Sequence, residues 1–191
     1  MKLLITGFEP FDGKNINPSW EAVRRLPERI GNYELCKLNI PTVYGQAAQM
    51  VSEKAEEIGA DVIICVGQAG GRDAVTPERI AVNIRDARIP DNAGVLYRGT
   101  RIVPEGPAAY FSTLPVEAMS QTVRDAHIPS SVSNPAGCYV CNDVLYTLLN
   151  KYAGTPVRVG FIHVPYLPEQ GTPNLPLEDT VRALTAAIAV L

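Results

Sequence analysis

The chain has 191 residues, 46% hydrophobic and 19% charged, with a net charge of −3, which suits one domain with a real core spanning 1–191. No run of Lys or Arg is present, which argues against a nucleic-acid backbone or an anionic membrane as partner. The longest apolar stretches fall well short of the ~20 residues that span a bilayer, and Leu3-Leu4-Ile5 is too short for a secretory core, so a cytoplasmic location is expected.

Strand and helix signals alternate along the chain. Residues 2–6 read as a strand and 7–13 as a loop. Asn17 and Pro18 are a cap and a first-turn proline for a helix with Trp20, Val23 and Leu26 on one face. Residues 34–40 alternate like a strand. Residues 43–58 read as an amphipathic helix interrupted only by Gly45, and 61–66 form the continuous apolar run of a central parallel strand. Ile80, Val82 and Ile84 alternate with Ala81 and Asn83 as a further strand, and a proline-rich but ordered excursion covers 90–115. A helix is expected over 116–126, another from Cys141 to about Tyr152, a strand over 157–164, and a last helix opening at Pro176, Glu178 and Asp179. This alternation predicts an α/β fold, a three-layer α/β/α sandwich around a mostly parallel twisted sheet. Ligands in such folds lie beyond the carboxyl ends of the strands, where Glu9, Gln68, Cys141 and His163 should gather.

The stretch from Ser133 to Asn142 carries the chemistry. It is a small-residue turn delivering Cys138 and Cys141 into the opening of a helix, where free amides and the helix dipole favour a thiolate. Cys36 and Cys65 sit in strand-like runs as small buried hydrophobes. Only two histidines are available as a base. His127 ends a helix beside Pro129, where its cation suits the dipole. His163 lies on an apolar strand and can serve a thiol that is mostly protonated at neutral pH. Glu78, Asp86, Asp143 and Glu169 are all candidates to orient that imidazole, and spacing does not choose among them. Cys138-x-x-Cys141 also fits a dithiol redox motif, and a non-catalytic binder is a third reading. No second C-x-x-C or histidine cluster completes a tetrahedral site, so no metal is expected. The run Gly67-Gln68-Ala69-Gly70-Gly71-Arg72 fits no nucleotide-loop pattern, and its glycines suggest close backbone approach to a small ligand.

Taken together, the motifs resemble the pyroglutamyl peptidase I (pyrrolidone-carboxylate peptidase) family of cysteine peptidases over essentially the whole length. They are Leu4-Ile5-Thr6-Gly7-Phe8-Glu9-Pro10-Phe11 with Asn17-Pro18-Ser19-Trp20, the glycine run, and Thr76-Pro77-Glu78-Arg79-Ile80-Ala81-Val82-Asn83. The Ser133-Asn134 to Cys141-Asn142 turn and Phe161-Ile162-His163-Val164-Pro165 complete the set. The resemblance implies Cys141 as nucleophile, His163 as base and Glu78 as orienting carboxylate, with Cys138 at a variable position. It implies an oxyanion site from the Cys141 amide and Arg88. It implies a pyroglutamyl slot from Phe8, Phe11, Gln68, Ile89, Tyr139 and Val140. No cofactor is implied; the substrates are peptides with an N-terminal pyroglutamate, and the assembly is a cytoplasmic homotetramer. Pro135 departs from the family's pattern, where a Thr or similar small residue is expected.

Overall fold

The computed structural model describes residues 1–191. Strand β1 (Lys2–Phe8) leads into helix α1 (Pro18–Val23), followed by β2 (Arg29–Ile30), β3 (Tyr33–Ile40), α2 (Gln46–Ile58) and β4 (Val62–Gln68). Then come β5 (Thr76–Pro77), β6 (Ile80–Val82), β7 (Ala109–Phe111), α3 (Val116–Asp125), α4 (Val140–Lys151), β8 (Arg158–Val164) and α5 (Leu177–Ala189). Six strands form one sheet in the order β2-β3-β1-β4-β8-β5. The central four are parallel, and the short edge strands β2 and β5 run antiparallel to their neighbours.

Side chains alternate across this sheet and create two cores. Leu3, Ile5, Val62, Ile64, Val66, Ile162 and Val164 pack under α1, α3 and α5. Leu4, Ile63, Cys65, Val159 and Phe161 pack under α2 and α4. The three-layer sandwich expected from the alternation is therefore present. Burial of β4 on both faces explains why its sequence shows no polar alternation. Asn17 caps α1 as expected, its side chain accepting from the Ser19 amide, with Pro18 in the first turn.

Three expectations need correction. Gly45 does not interrupt α2; it precedes it, at φ +71°, a left-handed conformation that glycine adopts without strain. The strand at 80–84 is shorter, ending at Val82, and it leaves the main sheet to pair antiparallel with β7. Strand β7 itself lies within the proline-rich excursion, where the flanking prolines hide its alternation. Asn83 organises the segment between them: its side chain accepts from the Ile102 and Val103 amides and donates to the Val103 and Gly106 carbonyls.

Candidate active site

Strand β8 delivers His163, which is buried, next to the carboxyl end of the sheet. Its partner on β4 is Gly67. A Cβ at Gly67 would lie 3.0 Å from Cys141 Sγ and 2.7 Å from the Phe161 ring. The sulfur therefore rests against β4 at the position level with His163, in the space that a missing side chain leaves. The Phe161 ring, 4.7 Å from the imidazole between centroids, closes the other side. Cys141 is the second residue of α4, after Tyr139 at the cap, so its amide belongs to the first turn, which has no intrahelical acceptors. It does not follow a strand directly, as expected from the sequence; a loop from α3 brings it to the sheet edge. That loop bridges back to Val75 and Glu78 at Ser130 and Ser133, and contains the cis Asn134–Pro135 bond. Pro135 is accommodated in that turn.

Of the four carboxylates that spacing left open, Glu78 meets the imidazole: His163 Nδ1 lies 2.7 Å from its Oε1. Asp143 is buried but holds Arg85 and the Gly45 amide instead, while Asp86 and Glu169 are exposed. Arg72 Nη1 donates to the same Glu78 oxygen at 2.7 Å and to Thr76 Oγ1 at 2.6 Å. Glu78 Oε2 is buried without a hydrogen-bond partner. Sequence reasoning named Arg72 only as the end of a glycine run. It also gave no role to Asn142, whose buried amide accepts from Val82 N and donates to the Val82 and Ile84 carbonyls, pinning the start of α4 to β6.

The electrostatics reverse one expectation. Burial pushes the Cys141 thiol up to about 12, with the charges of Glu78 and Cys65 adding; Arg72 and the residue's own amide oppose this and lose. Burial also lowers His163, assisted by Arg72, against the raising effect of Glu78. Burial alone would raise Glu78, but its bonds to His163 and Arg72, with Ser133 close by, outweigh that and hold it below the usual carboxylate range. The resting site is thus a neutral thiol and a neutral imidazole beside an ionised carboxylate. Burial defeats the readily ionised thiolate that the helix terminus alone would favour.

The remaining candidates are distributed unevenly. Phe8 and Val140 are core side chains, Phe8 lying 6.3 Å from Phe161. Phe11 and Tyr139 are half-buried and pack together at 5.9 Å, and the Tyr139 hydroxyl donates to Pro90 O next to Ile89. Gln68 accepts from Gln170 Nε2. Arg88 is exposed, just ahead of the excursion. Gly67 and Gly70 make room for the protein's own side chains, Cys141 and Phe161 at the first and Tyr166 at the second, where the sequence suggested a small ligand. Cys138 and Cys141 are both free thiols. Cys138 is raised by burial and then by Asp86, the opposite of an activated redox cysteine. No helix is long and apolar enough to cross a membrane.

A family model described as pyroglutamyl peptidase matches residues 1–191. A pyrrolidone-carboxylate peptidase of Levilactobacillus brevis is 52% identical over 198 residues, covering 100% of this chain and 97% of that protein. One from Lactobacillus johnsonii is 47% identical over 198 residues, covering 100% and 92%. Among solved structures, pyroglutamyl peptidase I of Bacillus amyloliquefaciens superposes with a TM-score of 0.95 at 42% identity, covering 98% of this chain and 95% of that one. A mutant pyrrolidone carboxyl peptidase of Pyrococcus furiosus gives 0.94 at 42% identity, covering 100% and 97%.

Proposed function

This chain belongs to the pyroglutamyl peptidase family and is a cysteine-type hydrolase, and on that premise we propose that it removes an N-terminal pyroglutamyl (5-oxoprolyl) residue from peptides through a thioester acyl-enzyme. Cys141 is the nucleophile, His163 the general base and Glu78 the group that orients the imidazole. The observation carrying this reading is the buried His163 Nδ1–Glu78 Oε1 contact of 2.7 Å, with Cys141 Sγ seated on the same sheet face against Gly67.

The Glu78 carboxylate accepts a hydrogen bond from Nδ1–H, which leaves Nε2 free to take the thiol proton as sulfur attacks the pyroglutamyl carbonyl. The imidazolium then gives that proton to the leaving amine, and water, activated by the same nitrogen, hydrolyses the thioester. Because thiol and imidazole rest neutral, ionisation of sulfur is coupled to attack rather than preceding it. The Cys141 amide, with Arg88, supplies donors to the developing oxyanion. A cyclised residue carries no ammonium, so its slot needs apolar walls and no counter-carboxylate. Phe11, Tyr139 and Ile89 line it, Phe8 and Val140 support it from the core, and Gln68 offers a polar contact. The unit acting is one domain, 1–191, working in the cytoplasm as a homo-oligomer, a tetramer by family resemblance.

Hydrolysis of a pyroglutamyl anilide by the wild type, Cys141→Ser and Cys138→Ser tests the assignment. Cys141→Ser loses at least about 10⁴-fold in kcat, whereas Cys138→Ser stays within about threefold of the wild type. Activity that survives the first change and disappears with the second refutes the assignment.

A further inference from the structure

We propose that Arg72 is a positioning residue for this peptidase reaction: from the loop after β4 its guanidinium fixes the Glu78 carboxylate by the same oxygen that holds His163. The inference rests on the triad reading above and adds to it a fourth group.

The geometry is unusual for an ion pair that only stabilises the fold. Glu78 is fully buried and both of its donors converge on Oε1, while Oε2 has none. With one donor alone, the two oxygens would be nearly interchangeable and the carboxylate free to turn. With two donors on one oxygen, from different elements, its plane is set. Arg72 is itself held by Thr76 Oγ1, and its side chain is 31% exposed. It lines an open polar groove of about 430 Å³ with Asp73, Thr76, Ser133 and Asn134. The guanidinium thus stands between that groove and the fully buried carboxylate.

Charge supplies the second part. During turnover His163 alternates between neutral and cationic forms, but Glu78 must be an anion throughout. A buried carboxylate facing a neutral imidazole needs another cation, and Arg72 is the permanent one within reach. The charged groups acting on His163 are Glu78 beyond β5 and Arg72 on the loop after β4; Cys141 of α4 sits against Gly67, the residue level with His163, with Cys65 of β4 behind the thiol. Removing Arg72 leaves Glu78 free to draw a proton onto the imidazole, which raises the pKa of His163 and removes the base from its neutral form at higher pH than before.

The test measures kcat and KM for a pyroglutamyl anilide across pH in Arg72→Gln and Arg72→Lys, together with the pH dependence of iodoacetamide inactivation at Cys141. Arg72→Gln should lower kcat by about 10–100-fold, the scale seen when a group orienting a functional imidazole is removed, and leave KM within about twofold. The acid limb should move to higher pH in both hydrolysis and alkylation. Arg72→Lys should return the limb to its wild-type place while recovering only part of kcat, because the shorter lysine stem does not carry its donors to the place where Nη1 bridges Thr76 Oγ1 and Glu78 Oε1. An Arg72→Gln enzyme whose acid limb is unmoved overturns the proposal, whatever its kcat. If Arg72→Gln does not fold, an Arg72→Lys enzyme with full wild-type kcat overturns it. The alkylation profile needs no peptide substrate. A wild type inert toward the anilide therefore refutes the peptidase reading alone, while a shifted alkylation limb still supports the role of Arg72.

Discussion

Glu78 Oε1 accepts from two donors at 2.7 Å, and this fixes how an isosteric change should behave. In a glutamine at this position the carbonyl oxygen must occupy the Oε1 site, since neither His163 Nδ1–H nor the guanidinium can accept from an NH2 group. The NH2 group then falls at the partnerless Oε2 site. Glu78→Gln should consequently preserve the imidazole tautomer and lose only the charge, costing far less than the about 10⁴-fold that a wrong tautomer brings. Glu78→Ala, which loses orientation as well, should approach that figure. Equal kcat for the two variants in anilide hydrolysis would contradict this account. The candidates are legible in the sequence itself, a cysteine pair at a helix start and one of only two histidines placed on a strand, although spacing chooses neither between Cys138 and Cys141 nor among the four carboxylates. Arg72 and Asn142 are not, because a cation inside a glycine run and an amide in a helix's first turn have no periodicity that reveals a buried long-range partner.

Close approach between α4 and β4 is what brings the sulfur to the sheet, and Gly67 permits it. A methyl group there would stand 2.7 Å from the Phe161 ring and 3.0 Å from Cys141 Sγ, both inside a packed layer. Gly67→Ala should cost about 1–3 kcal/mol of stability, as overpacking does. It should also lower kcat much more than it changes KM, because the shift falls on Cys141, the proposed nucleophile; thermal melting and steady-state kinetics check both. The main elements follow from patterning. The Asn17-Pro18 cap, the doubly buried β4 and the amphipathic α2 are local signals that tertiary contacts reinforce. The β6–β7 ribbon is only half legible, because Ala109–Phe111 is a short strand held by cross-strand bonds and by Asn83, not by its own pattern. The glycine run is readable as a place of close approach, but not as to what approaches, since the tightly packed side chains come from α4, from β8 and from Tyr166, all distant in the chain.

For the molecule as a whole, buried titratable groups set a pH window. His163 has a lowered pKa, so the unfolded chain takes up its proton first as pH falls through about 6.5, and stability declines from there. Glu78, also lowered, contributes stability above the ordinary carboxylate pKa that is lost as pH drops through its folded value. On the alkaline side the sign is opposite. Cys141 and Cys65 keep their protons up to about 12 in the folded state, while the unfolded thiols ionise near ~8.5, so stability falls above that pH. Thermal denaturation should show a plateau between about pH 6.5 and 8.5. Cys141→Ser should flatten part of the alkaline decline and leave the acid one in place; an unchanged alkaline decline would refute the burial argument.

Asp143 has a consequence of a mechanical kind. One oxygen grips Arg85, which lies against the rings of Tyr44 and Tyr97, and the other receives the Gly45 amide just ahead of α2. Two helices and the long excursion are thereby buckled at a single carboxylate, two residues from Cys141. Such a junction braces the excursion where Tyr97 meets Arg85, so that part of it cannot swing as a free flap without first breaking the Arg85–Asp143 pair.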